Sequence, residues 1–292
     1  MHPNALPLGP GRANSFPYMN LRTLASLFLS IPFALSAEEN PAAGNPPGGD
    51  AKKALAAERL SPQLRAALEK LVMPGVKINV EEWSVDVDAR VCLVEGMLEL
   101  IACTKDSKEH EAIIAVEAKP SHIHTALLLL RAKPGHPAMQ KAIDEEDTRF
   151  TSLPPRGGAV DVFLLVKDAE GKETERPISD FITQAEQDES TAGAKPAEDA
   201  KPVKFPTHTF LFAGSVLDGD DKGPRDYVCD QSGNVISIAT FGDELLCLPG
   251  IHDQANSLRA WQADGEQLPP LDSKVILRLR PQVEQPAKPP TP

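Results

Sequence analysis

The sequence predicts an α+β fold in which strands dominate and one main helix is buried. Three observations carry this expectation. Several runs alternate apolar and polar residues with period two, one apolar stretch has helical spacing, and the intervening segments are rich in Pro, Gly and charge. Aromatic residues make up only 5% of the chain, so the core must rest on Val, Leu and Ile.

Taken in order, MNLRTLASLFLSIPFALSAEEN combines one positive charge (Arg22), an apolar run from Leu24 to Leu35, and small residues at Ala34 and Ser36. That is the three-part pattern of a signal peptide, with cleavage expected after Ser36 or Ala37. Residues 1–37 are therefore read as leader and signal peptide, with Met1 or Met19 as the start. The expected location is the periplasm or the extracellular space. No later run reaches the length of a membrane span, so no transmembrane span is expected in the mature chain.

Residues 38–75 read as a flexible segment carrying a weak helix, ALAAERLSPQLRAALEKLV, interrupted at Pro62. The first folded part, 76–184, opens with WSVDVDARVCLVEG. Trp83, Val85, Val87, Ala89, Val91 and Leu93 share one strand face, opposite Asp86, Asp88 and Arg90. Glu95-Gly96 then predicts a hairpin turn into MLELIAC. KEHEAIIAVEA reads as a strand, and PSHIHTALLLL as a helix buried on several sides, with Ser121 as its N-cap. A second hairpin pairs Val160–Val166 with the residues after the Asp168–Gly171 turn. Residues 185–204 are a low-complexity linker of Ala, Glu, Lys and Pro. The second folded part, 205–281, contains THTFLFAGS, DYVCD, NVISIATF and the cleanly alternating KVILRLR, followed by a Pro-rich tail at 282–292.

Net charge is −12, and removing the leader takes away two arginines and no carboxylate. Such a chain repels phosphate backbones and anionic bilayers, so nucleic acid is not an expected partner; an envelope protein is. Of the four cysteines, Cys229 and Cys247 are the candidate disulfide. A Cys92–Cys103 staple is disfavoured, because the predicted hairpin would set Cys92 opposite Glu99 and Cys103 opposite Asp88.

The segment 107–130 holds three of the seven histidines and supplies the candidate ligand-binding residues Glu109, His110, Glu111, His122 and His124. On a strand, His110 shares a face with Ala112, Ile114 and Val116, either as an imidazole at the core edge or as a ligand or base. At a helix start, His122 and His124 diverge and are biased towards the neutral form. No cofactor is expected; zinc or copper held by Cys103, His110 and His124 is the alternative, although the spacings match no standard ligand set. DGDDKG at 218–223 fails as an EF-hand loop, with Lys222 at position five and Cys229 at position twelve. Ser215 lacks a nucleophile elbow.

Several fragments together resemble the YdjY-type domain of secreted bacterial proteins, particularly the versions of planctomycete-like bacteria. They are VCLVEGMLELIAC (91–103), KEHEAIIAVEAKPSHIHTALLLL (108–130), KPGHP (133–137), FLFAGS (210–215), DYVCDQSGNVISI (226–238), LLCLPG (245–250) and LPPLDSKVILRLRP (268–281). Arg131 stands where that family often has glycine, and Cys247 where an aspartate is usual. The resemblance implies a domain of uncharacterised function. The expected role is a non-enzymatic binding or structural module of the cell envelope. The alternative is a metal-dependent enzyme, or a metal- or redox-handling protein, built on residues 109–124.

Overall fold

The computed structural model describes residues 62–144, 149–167, 171–185, 203–220, 223–252 and 261–283, which lie within one compact unit, Pro47–Pro292. The expected signal peptide, most of the expected 185–204 linker, part of DGDDKG and most of the tail fall outside the described residues. Among the described residues there are three α-helices: α1 (Pro62–Lys70), α2 (Pro120–Leu129) and α3 (Val228–Ser232). The strands are β1 (Val76–Asn79), β2 (Ser84–Val91), β3 (Leu100–Thr104), β4 (Ala112–Val116), β5 (Met139–Ala142), β6 (Phe150–Leu153), β7 (Ala159–Lys167) and β8 (Glu173–Pro177). They continue with β9 (Ile182–Gln184), β10 (Thr209–Phe212), β11 (Leu217–Asp218), β12 (Asp226–Tyr227), β13 (Asn234–Ser237), β14 (Leu246–Cys247), β15 (Trp261–Ala263) and β16 (Lys274–Pro281).

Eight strands close into a ring in the order β2-β16-β7-β10-β14-β13-β3-β4, and the ring shuts because β4 pairs with β2. Six of its junctions are antiparallel; β3–β4 and β13–β14 are parallel. The fold is therefore a mostly-β barrel, which corrects the α+β expectation. The period-two runs are real strands, but their sheet closes on itself instead of stacking against a helical layer. The helix of the predicted core is only ten residues long and packs against β1 and β2.

Two strands splay from the ring: β1 on β2 and β8 on β7. β2 and β16 run side by side from Val85↔Leu279 to Arg90↔Lys274, and both alternate as their sequences require. Val85, Val87, Val91, Leu277 and Leu279 are buried in the main core with Val162, Leu164, Phe210, Phe212 and the α2 residues Ile123, Ala126 and Leu127. Arg278, on the opposite face, forms a double hydrogen bond with Asp86 at 2.7 Å per contact and reaches Glu175 at 2.9 Å.

Two local readings are also corrected. The predicted hairpin at Glu95-Gly96 does not form, because Leu98 N–H donates to the Trp261 carbonyl (2.8 Å) and Met97 bridges Gln262, drawing the segment onto β15. Consequently β3 pairs with β4 and β13, and the register argument about Cys92 and Cys103 falls with the hairpin. Residues 109–111 form a 3₁₀ turn, so β4 starts only at Ala112. Pro62 is the first described residue of α1, and the part of the expected weak helix that precedes it lies outside the described residues.

Candidate functional site

Helix α2 organises the polar residues nearest to a site. Its N-cap is Lys119, with Pro120 in the first turn, so the expected cap at Ser121 is corrected. The capping oxygen comes from a distant segment. Asp230, on α3, accepts the Ser121 N–H at 2.8 Å and the Ser121 hydroxyl at 2.7 Å. A carboxylate there also meets the positive end of the helix dipole.

One turn further on, His124 packs edge-on against Phe212 (ring centroids 4.8 Å apart) and Tyr227 (5.4 Å). Its Nδ1 lies 2.8 Å from the Tyr227 hydroxyl, which donates to the Gly214 carbonyl at 3.0 Å. Tyr227 has one proton to give, so this network assigns the proton on Nδ1 to the imidazole, with the tyrosine oxygen accepting. Burial pushes the His124 pKa down, opposed by the Gly214 carbonyl. Burial likewise pushes the Tyr227 phenol well up. Gly214 has φ +85°, and an added Cβ would stand 3.2 Å from His124 Cε1 and 3.3 Å from Pro134, so close approach requires glycine here. Ser215, also at positive φ, accepts the Cys229 N–H through its hydroxyl at 3.1 Å. It is a structural acceptor beneath α3.

The remaining predicted residues lie elsewhere. Glu109 accepts the Asp106 N–H (2.9 Å) and Arg90 (2.5 Å). Burial would raise its carboxyl, but these two donors outweigh it and hold the pKa below the usual range. His110 is 78% exposed at its side chain, and its near neighbour is Glu111 at 3.8 Å; the core-facing placement is corrected, because the 3₁₀ turn breaks the strand period. His122 is half-buried with Nδ1 unpartnered. Among the described residues, no three His, Cys, Asp or Glu side chains converge on a point that could hold a metal, so Cys103, His110 and His124 do not form the proposed centre.

All four cysteines are free thiols, and the Cys229–Cys247 bridge is not formed. The Cys229 thiol donates to the Asn234 carbonyl at 3.1 Å. Cys247 is pushed up to about 12 by burial, with the buried Glu244 carboxyl adding to the effect. Cys103, by contrast, belongs to a second buried cluster with Leu100, Ala112 and Ala115, against which Cys92 and Phe241 pack.

Sequence reading missed Asp230, Tyr227 and Gly214 as partners of α2. All three stand inside the fragments DYVCDQSGNVISI and FLFAGS, so their importance was visible, but not the contact across roughly a hundred residues.

Fold and site together define a mixed, mostly antiparallel β-barrel domain whose polar groups tie a docked helix to the barrel wall. The model of the YdjY domain matches residues 76–237, more than half of the chain, and the protein belongs to that family. The match runs from β1 to the end of β13 and stops short of β14 and β16, two strands of the ring. Searches of curated proteins and of solved structures find no match.

Proposed function

We propose that this YdjY-domain protein is an exported, non-enzymatic binding or structural module of the cell envelope. One observation carries the non-enzymatic part. Glu109, His110 and His124 enter separate neighbourhoods: Glu109 an ion pair with Arg90, His110 an exposed position beside Glu111, His124 the Tyr227–Gly214 network. Catalysis by those groups needs several of them within reach of one reacting atom. The leader pattern supports export, and the acidic net charge supports a protein partner over nucleic acid or an anionic bilayer. Among the described residues no helix is long and apolar enough to cross a membrane.

Fractionation of the native host, with N-terminal sequencing of the recovered chain, tests the location. The expected chain begins at Ala37 or Glu38 in the envelope or the medium; a cytoplasmic chain beginning at Met1 or Met19 overturns export. A hydrolase screen tests the role. Turnover that H110A/H124A abolishes without lowering the melting temperature would overturn the non-enzymatic reading.

A further inference from the structure

Among the described residues, strands β5 and β6 pair with each other and with no other strand. Their pairing keeps one register from His136↔Arg156 at the base to Ala142↔Phe150. The base is tied to β10, where Gly135 N–H donates to the Phe212 carbonyl (2.9 Å) and Phe212 N–H to the Gly158 carbonyl (2.8 Å). Beyond it the ribbon stands in solvent. Phe150, Thr151 and Ser152 are all exposed, and Phe150 keeps 57% of its surface accessible. A lone two-stranded ribbon is marginal in water and gains stability by adding strands.

The base also fixes which main-chain groups face outward. His136 and Arg156 exchange both main-chain hydrogen bonds (3.0 and 2.9 Å), and antiparallel pairs alternate between bonded and non-bonded. In the same register, Phe150 and Ser152 turn their N–H and C=O towards β5, whereas Thr151 and Leu153 turn theirs to the open edge. That edge, Phe150–Leu153, carries no charge, and Phe150 and Thr151 favour strands. Other strands with an open edge are guarded: β1 carries Lys77, β5 Lys141, and β8 Glu173, Glu175 and Arg176, charges of the kind that blunt an edge against pairing. β6 has no such guard.

We propose that β6 is a dimerisation strand, which adds antiparallel to β6 of a second copy about a two-fold axis at Ser152. Thr151 then lies opposite Leu153 of the partner subunit, and the two exchange a pair of main-chain hydrogen bonds; the symmetric pair exchanges two more. Every outward N–H and C=O of Thr151 and Leu153 is matched. Phe150 falls opposite the partner's Pro154, so two exposed apolar side chains cover each other on each side of the axis. Arg149 falls opposite the partner's Pro155, so no like charges meet. The occupant is a copy of the same strand because the edge is self-complementary about Ser152. A foreign strand would fit equally only by carrying the same spacing of apolar and uncharged residues. Two marginal ribbons become one four-stranded sheet, and the small contact makes the dimer concentration-dependent.

Sedimentation velocity of the full mature chain over a concentration series tests association, and cysteine cross-linking tests the register. A shift from monomer to dimer is expected. It should be lost in T151P, which removes an N–H that the ribbon itself does not use, and in F150D, which leaves the backbone intact. Both variants should keep the wild-type melting temperature; if T151P melts early, F150D decides. Under mild oxidation S152C should cross-link to its copy, because opposed residues of a non-bonded pair have Cα atoms about 4.5 Å apart. T151C should not, because it is offset from its copy by two residues, roughly 7–8 Å on the diagonal. The unmodified chain, with its four native thiols, is the blank. A chain that stays monomeric, with S152C left uncross-linked, overturns the proposal and leaves the ribbon to another protein. A dimer that survives both T151P and F150D overturns it too, as does cross-linking of T151C as fast as S152C.

Discussion

Arg131 adopts φ +64°, a left-handed conformation that costs a non-glycine residue about 1 kcal/mol. The reason lies one residue earlier, where α2 ends. Ala132 N–H reaches the Leu127 carbonyl (3.0 Å) and Arg131 N–H the Leu128 carbonyl (2.8 Å), the double bond of a Schellman cap, whose first residue after the cap is ordinarily glycine. Arg131 was singled out in the sequence as a departure from a glycine, but its backbone angle was not readable there. R131G should raise stability by about 0.5–1 kcal/mol, less any arginine packing lost, as a shift of the urea midpoint at constant slope. A lower midpoint would refute the account. His124 carries a pH dependence of definite sign. Its folded pKa lies below the ordinary 6.5, so the unfolded chain takes up the proton first as pH falls. The stability is complete above about 6.5 and is lost on acidification through that value towards the folded pKa. Melts between pH 8 and pH 5 should show this decline in the wild type and a flatter one in H124N. Equal slopes would remove His124 from the account.

At the scale of elements, α2 is a helix of ten residues, shorter than an isolated helix can sustain in water, so its order depends on packing and on its ends. The C-terminal end caps itself, whereas the N-terminal end borrows Asp230. D230A should cost about 1–2 kcal/mol, and S121A less, because Ser121 N–H keeps its acceptor in the latter. Denaturant unfolding of both variants checks the order, and S121A costing more than D230A would contradict it. Element types were largely legible. Period two marked β2, β7 and β16, and the apolar spacing marked α2, because burial of one face imposes those periods wherever the partner strand comes from. The 3₁₀ turn at 109–111 was not legible. It is made by Glu109 reaching back to Asp106 N–H and across to Arg90, contacts to which local periodicity is blind.

For the whole molecule, the decisive fact is closure. Strand types do not reveal that β2 takes β16 on one side and β1 and β4 on the other, so a strand-rich α+β sandwich and a barrel read alike in sequence. Closure also separates the family segment from the folding unit. A chain ending at residue 240 retains the whole matched segment yet lacks β14 and β16, leaving β2, β7, β10 and β13 each with an open edge. Such a chain should show no cooperative melt and should aggregate, whereas a chain ending at 283 should melt as one transition. A cooperative melt from the shorter chain would mean that residues 76–237 fold alone.

The pairing of β2 with β16 also sets a timetable. Some 180 residues separate Val91 from Lys274, and a ribosome adding about 5–20 residues per second needs on the order of ten seconds or more to cover them. Throughout that interval the nascent β2 has a valine-rich face and a bare hydrogen-bonding edge with no mate yet synthesised. Closure of the ring is thus put off by its own topology until late in synthesis. That is the condition in which a chain can be threaded through a translocation pore, and the one in which it most needs a chaperone.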